Sequence, residues 1–256
     1  QEPVFRFGTE EQKKQYLPPS ATGKYLAAFG LTEPGAGSDT AALACTAKFM
    51  AENNEYILNG AQVFMTSGAS SDYFIVMAKL VDPSKPATAN EKSITAFIVE
   101  KDFPGFKIGQ KFDMLGMRGY STCELVFDDC RVPAANLLGG HGEGRKVALS
   151  SLAKGRVTIA AQCTGWAQGA LDAVLRLTKE RQKAHAELRS LDQLAAFVGE
   201  MAVQVESARV LTYQAAAAID RGEGDVTLAS MAKMHASDIA MKVSTDAMTL
   251  LGLEST

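Results

Sequence analysis

Gly139-Gly140-His141-Gly142-Glu143-Gly144-Arg145-Lys146 divides this chain into two textures. Upstream, from Tyr25 to about Val132, Gly and Pro cut the sequence into short apolar or alternating runs, the pattern of β-strands. The runs are Tyr25 to Leu31, Ala42 to Ala51, Tyr56 to Thr66, Tyr73 to Leu80, Ser93 to Val99 and Cys123 to Phe127. Several strands without intervening helices predict an antiparallel barrel or sandwich. Turns are expected at Asn53-Asn54, because Asn tolerates the left-handed region, and at Asn59-Gly60 and Asp82-Pro83-Ser84. Downstream, the sequence turns rich in Ala, Leu and Met with few Gly or Pro, which predicts three helices: Arg145 to Arg181, Ser190 to Asp220 and Thr227 to Leu251. In the second, Leu194, Phe197, Val198, Met201, Val205 and Ala208 make one apolar stripe that antiparallel packing would cover. Thr227 is read as the cap of the third helix. Near the amino end, Thr9-Glu10-Glu11-Gln12 opens a short helix with a capping residue and an acidic first turn, and Pro18-Pro19 is expected to end it.

Composition narrows the function. At 256 residues, 46% hydrophobic and 21% charged, the chain is an ordinary globular protein of one large or two modest domains. A net charge of −3 supplies no basic field for nucleic acid or an anionic membrane surface. Lys, Arg, Glu or Asp interrupts every apolar run before the ~20 residues of a bilayer span. The start, Gln-Glu-Pro-Val-Phe-Arg-Phe, has no basic segment leading an apolar core, so no secretory signal is expected. The scattered Cys45, Cys123, Cys130 and Cys163 read as free thiols of a reducing compartment. His141, His185 and His235 are equally isolated, and no metal site is expected.

Two glycine-rich stretches invite chemistry. The dividing stretch precedes a helix but has Arg145 where a phosphate-binding loop has Lys and Val147 where it has Ser or Thr, so it reads as a linker. Phe29-Gly30-Leu31-Thr32-Glu33-Pro34-Gly35-Ala36-Gly37-Ser38-Asp39 runs from a strand into a turn bearing hydroxyls. Its backbone N–H groups, with Thr32 and Ser38, suit a phosphate or the polar edge of an aromatic heterocycle, and a plain surface turn is the alternative. No G-x-S-x-G nucleophile elbow is present.

The run from Gly30 to Asp39 resembles a signature of the acyl-CoA dehydrogenases, and further pieces follow in family order. They include Leu58-Asn59-Gly60, Phe64-Met65-Thr66-Ser67-Gly68, Ala96-Phe97-Ile98-Val99-Glu100-Lys101, Pro104-Gly105-Phe106, Leu115-Gly116-Met117-Arg118-Gly119, Arg131-Val132-Pro133 and Gly142-Glu143-Gly144. The resemblance implies an α+β chain: a remnant of an N-terminal helical domain over 1–20, a middle β-barrel domain over 21–138 and an antiparallel helical bundle over 144–256. It implies FAD as cofactor, with Phe29, Leu31, Thr32, Gly37 and Ser38 on one side of the flavin and Phe64, Met65 and Thr66 on the other. Arg181 would reach a neighbouring subunit's FAD pyrophosphate, and Ser38 and Arg156 would contact the substrate. The family often has Trp where Phe64 stands, and lacks an acid where Asp192 stands.

The implied reaction is α,β-desaturation of an acyl-CoA thioester, with electrons passed to an electron-transferring flavoprotein. A Glu base takes the α-proton. Family members carry it either just before the position of Arg156, where this chain has Gly155, or in a Glu-Gly-Thr setting, for which Glu254-Ser255-Thr256 is the candidate. The alternative is that these three residues belong to a truncated helix end, since Leu250-Leu251-Gly252 fits the family segment upstream of the base and an intervening stretch would then be absent. The family also implies a homo-oligomer, dimer or tetramer, with exposed apolar residues such as Met231, Met234, Ile239 and Met241 seeking cover, and a location in bacterial cytoplasm or mitochondrial matrix. The readings set against it are a non-catalytic partner subunit or fragment, and a flavin-dependent monooxygenase relative.

Overall fold

The computed structural model describes residues 1–81, 93–184, 192–223 and 226–252. It divides into two compact units, Gln1–Ser151 and Leu152–Thr256. The expected turn at Asp82-Pro83-Ser84, His185 and Glu254 all lie outside the described residues.

The first unit holds helices α1 (Glu2–Phe7) and α2 (Glu10–Ala21) and strands β1 (Ala27–Gly30), β2 (Thr46–Met50), β3 (Glu55–Met65), β4 (Tyr73–Val81), β5 (Ile94–Glu100), β6 (Phe106–Lys111), β7 (Cys123–Pro133) and β8 (Leu137–Leu138). One eight-stranded sheet runs in the order β6-β7-β3-β2-β4-β5-β8, with β1 also paired to β4, so the described pairing path has two ends at β6 and β8. The pairing is not wholly antiparallel: β1 and β2 both run parallel to β4, against Tyr73–Val76 and Lys79–Val81 respectively. They occupy successive halves of one edge of β4, and residues 31–45 leave the sheet between them.

Strands β4 and β5 are buried on both faces, which is why Tyr73–Val81 reads as a nearly continuous apolar run rather than an alternating one. Phe74, Val76, Ala78, Phe97 and Val99 face one core with Leu58, Leu125 and Val132. Tyr73, Ile75, Met77, Ile94 and Ile98 face a second core with Val4, Tyr16 and Val147. Each such side chain contributes roughly 1.5–3 kcal/mol of transfer free energy. Strand β6 is absent from the sequence reading because it is a sheet edge, where Lys107, Gln110 and Lys111 face solvent and discourage pairing with another chain.

Helix α2 carries the expected capping box, with Gln12 N donating to Thr9 Oγ1 (3.2 Å) and Thr9 N to Gln12 Oε1 (3.0 Å). Gln12 Nε2 donates to the carbonyls of Ala135 and Leu137 at 2.8 Å, so this residue also ties the helix to the end of the sheet. We expect Thr9→Ala to cost about 1 kcal/mol, measured as a fall in the denaturant midpoint. Pro18-Pro19 does not end the helix, which runs to Ala21. The carbonyls of both prolines accept from following amides, Thr22 N to Pro18 O and Lys24 N to Pro19 O, so the helix closes its last turn beyond the prolines although their nitrogens donate nothing.

Two further expectations are corrected. Asn59-Gly60 lies inside β3 at a register shift, not at a turn between strands. A Cβ at Gly60 would stand 2.9 Å from Cys45 Cα, so glycine there permits close strand approach. The stretch from Gly139 to Gly144 is stitched to the sheet rather than a free linker: Gly142 N donates to Thr95 Oγ1 (2.9 Å), and His141 Nε2 meets Tyr56 Oη at 2.6 Å. The Asn53-Asn54 turn is present, with Asn54 left-handed at φ 53°.

Helix α3 runs over Gly144–Ala184, followed by α4 (Asp192–Asp220) and α5 (Val226–Leu251). Within the second unit, the Thr164 and Thr212 hydroxyls meet, and Arg209 donates to Gln168, so α4 descends as α3 ascends. Ser207 meets His235, and Glu200 pairs with Lys242, which reverses direction again. Met201 and Val205 of the α4 stripe pack with Leu171, Val174 and Val243. Ile239 is packed among these cores rather than seeking cover, whereas Met231, Met234 and Met241 are exposed. Thr227 sits inside α5, not at its cap. Among the described residues no helix is long and apolar enough to cross a membrane.

Candidate active site

The site is built where β1 stops and β2 has not begun. In that gap the buried side chain of Gln62 on β3 donates from Nε2 to the carbonyl of Met77 on β4 at 3.0 Å. Gln62 Oε1 has no partner among the described residues. A Cβ at Gly30 would lie 2.0 Å from that oxygen and 2.7 Å from Met65 Cε, so glycine lets the end of β1 settle onto β3.

The loop that follows is pinned from below. Val63 N donates to Thr32 O at 2.8 Å, which joins the loop to β3. Glu33 and Ala36 exchange backbone hydrogen bonds of 2.9 and 3.1 Å and close the turn Glu33-Pro34-Gly35-Ala36. Asp39 Oδ1 accepts from Ala41 N at 3.0 Å. Gly35, Gly37 and Ser38 face solvent, and nothing lies within 4 Å of a Cβ built at either glycine.

On the β3 side, the pairing with β7 shifts register between Gln62 and Met65. Within that irregularity Phe64 takes φ 59°, a left-handed backbone that is costly for a bulky residue, and Ser67 takes φ 58°. The bulge re-aims the strand end, as bulges beside functional sites do. Phe64 is 60% exposed, with its ring 5.0 Å from that of Phe112, while Met65 turns into the core and Thr66 faces out. Thus Thr32 and the segment from Val63 to Thr66 are brought together, and Met65 acts from the core side. Phe29 and Leu31 are half-buried against the second core.

The remaining sequence candidates belong to the helical unit. Arg156 is half-buried on α3. Arg181, also on α3, donates to the carbonyls of Leu250 (3.3 Å) and Leu251 (3.1 Å) at the end of α5, a helix C-terminus that favours a cation. That capping contact was not legible in the sequence, because it joins residues far apart in the chain. Nor was Phe112, whose pairing with Phe64 no spacing signals.

The donor set suits a flat heterocycle with a polar edge. The hydroxyls of Thr32, Ser38 and Thr66 have no intramolecular partner among the described residues, and those of Thr32 and Thr66 lie on segments joined beside the exposed ring of Phe64. Such hydroxyls and backbone amides, next to a hydrophobic ring, are what a flavin ring requires of its protein. A thiol nucleophile is not offered: burial pushes Cys45 and Cys130 up to about 12. No group of three metal-ligating side chains occurs among the described residues.

Comparison with known proteins shows the family of the chain. Residues 28–130 match the acyl-CoA dehydrogenase middle domain, and residues 142–256 match the acyl-CoA dehydrogenase C-terminal domain. The chain is 42% identical over 250 residues, 98% of its length and 64% of the relative's, to an acyl-CoA dehydrogenase of Bacillus subtilis. Its fold superposes with a TM-score of 0.91 on butyryl-CoA dehydrogenase from Megasphaera elsdenii, at 39% identity, covering 99% of this chain and 65% of that one. It also resembles an acyl-CoA dehydrogenase from Bacillus anthracis solved in complex with FAD, with a TM-score of 0.86, 30% identity, and coverage of 98% of this chain and 45% of that one. The chain therefore spans less than two thirds of the length of these relatives, and across nearly its whole extent it belongs to the acyl-CoA dehydrogenase family.

Proposed function

We propose that this chain holds FAD and acts in the α,β-desaturation of an acyl-CoA thioester. The observation that carries the reading is the pinned loop, bearing the Thr32 and Ser38 hydroxyls, joined at Thr32 to the β3 end that carries the Thr66 hydroxyl and the exposed ring of Phe64. Thr32 and the backbone from Leu31 to Ser38, Gly37 included, would hold the polar edge of the flavin. Phe64 and Thr66 would bound its other side, supported from the core by Met65, and Phe29 would brace the loop from the second core. Bound FAD supplies a hydride acceptor. Ser38 and Arg156 would orient the thioester, and Glu254 is the proposed base that takes the α-proton. Arg181 is proposed to reach the pyrophosphate of a neighbouring subunit's FAD, a role that competes with its bonds to Leu250 and Leu251.

Family membership supports an electron-transferring flavoprotein as the partner. Exposed Met231, Met234, Met241 and Met248 on α5 support a homo-oligomer, dimer or tetramer, since such a row is covered most simply by a second copy. Four free, buried cysteines suit a reducing compartment, bacterial cytoplasm or mitochondrial matrix.

Titration with FAD tests the reading. The protein should quench flavin fluorescence saturably and acquire the visible absorbance of bound flavin. Anaerobic butyryl-CoA or a longer acyl-CoA should then bleach it. Thr32→Val, which keeps shape and removes the hydroxyl, should weaken FAD binding by about 3- to 10-fold, the worth of one hydrogen bond of roughly 0.5–1.5 kcal/mol. A chain that takes up no flavin sinks the proposal.

A further inference from the structure

We infer that Glu33 is the positioning residue of the flavin loop: its buried carboxylate, acting from beneath through the start of β2, sets the geometry in which Thr32 and Ser38 are presented. This rests on the flavin reading of that loop.

Among the described residues Glu33 is the one buried carboxylate, at 5% exposure. Burying such a group is costly unless hydrogen bonds replace its water. Both oxygens are so compensated. Ala44 N donates to Oε2 at 2.5 Å and Cys45 N to Oε1 at 2.9 Å. Successive amides of one strand entry converge on a single carboxylate, a charge-assisted pair stronger than neutral bonds.

The placement explains what these bonds do. Segment 31–45 is ejected between two strands that share one edge of β4, so no ladder holds it. Glu33 opens the turn closed with Ala36 and directly follows Thr32. Its side chain joins the departing end of the excursion to the returning end, where Cys45 O in turn accepts from Lys79 N of β4 at 2.8 Å. The carboxylate thereby closes the loop across its base, while the exposed residues Gly35, Gly37 and Ser38 project from the closed ring. The group points into the protein, so its action on a ligand is indirect.

Residue chemistry makes the latch specific. Gln has the same length but one acceptor oxygen, and its NH2 would face an amide N–H, donor against donor. Asp keeps the charge but is one methylene short of both amides.

The test uses the chain with and without FAD. In flavin-free protein, Glu33→Gln should speed hydrogen exchange at the Ala44 and Cys45 amides and across residues 31–38 by tenfold or more, with exchange in β5 unchanged. The same variant should raise the FAD dissociation constant by about tenfold or more, and at saturating FAD should still show altered visible band structure, which a merely destabilised protein would not. Val99→Ala, a core truncation away from the loop, serves as that destabilised control. Glu33→Asp should fall between wild type and Gln in exchange and affinity, and decides the matter if the Gln variant does not fold. Wild-type exchange at Ala44 and Cys45 in these variants, or wild-type affinity and spectrum, overturns the inference. Failure of wild-type protein to bind FAD overturns the flavin reading instead, and the exchange arm still decides the latch.

Discussion

Gly105→Ala is expected to lower the thermal midpoint of the sheet unit by about 10 °C. Gly105 adopts φ +86°, where a Cβ costs roughly 1–2 kcal/mol by itself. That Cβ would also stand 2.4 Å from Asp128 O, 2.7 Å from Cys130 Cα and 2.8 Å from Asp129 C. All three are backbone atoms, and none can swing aside. Asp128 N is bonded to Gly105 O and Arg131 N to Pro104 O, each at 2.9 Å. Asp129 is itself left-handed and clasped by Asn59 through two hydrogen bonds. A total of about 3 kcal/mol or more follows, and for a unit of this size each kcal/mol moves the midpoint by roughly 2–4 °C. Scanning calorimetry beside Gly119→Ala supplies the comparison, because Gly119 is exposed with nothing within 4 Å of its Cβ position and should shift the midpoint little. Equal midpoints for the two variants would contradict the account.

The largest expected effect on turnover is that of Glu254→Gln. Gln fills the same space but accepts no proton, and a general base contributes about 10²- to 10⁴-fold. Acyl-CoA-dependent bleaching of bound FAD, followed by stopped flow, should slow by that factor, while the FAD dissociation constant and thermal midpoint stay put. The structure offers a second arm. Gly155, the other family position for the base, lies in α3 with nothing within 4 Å of a Cβ built there. Gly155→Glu should therefore fold, with the added helix propensity of a non-glycine residue worth up to ~1 kcal/mol. Placed in the Glu254→Gln background, it should recover part of the lost rate. An unchanged rate in the single variant would remove Glu254 as the base.

Local chemistry made much of this protein readable. The capping box at Thr9 and Gln12, the left-handed Asn54 and the apolar stripe on α4 each depend on residues within a turn or two of one another, so spacing alone reveals them. The change of texture at Gly139–Gly144 separates strand from helix for the same reason: the hydrophobic period passes from two toward 3.6. The run from Gly30 to Asp39 pointed to the family and put Thr32 and Ser38 among the candidates, and the separate run Phe64-Met65-Thr66 added Phe64.

Other features follow from contacts that no period encodes. The parallel seating of β1 and β2 on one edge of β4 is a matter of topology, and it is what opens the gap that Gln62 fills and the loop leaves. Pro18-Pro19 signals a stop locally, yet their carbonyls capture the amides of Thr22 and Lys24, and the helix carries on to Ala21. Asn59-Gly60 has turn composition, but the close approach of Cys45 makes that glycine part of a strand. Glu33 looks like one more acid in a polar loop until the chain folds back and sets Ala44 and Cys45 over it. Arg181 becomes a cap only when the end of α5 arrives beside it. The type of the long elements was therefore determined by the sequence alone, since propensity, capping and burial period act over a few residues, whereas the edge strand β6 and the stretches at Pro18-Pro19 and Asn59-Gly60 were not. Which groups are buried, and against what, was decided by the tertiary structure, since desolvation and hydrogen bonding depend on partners brought from elsewhere in the chain.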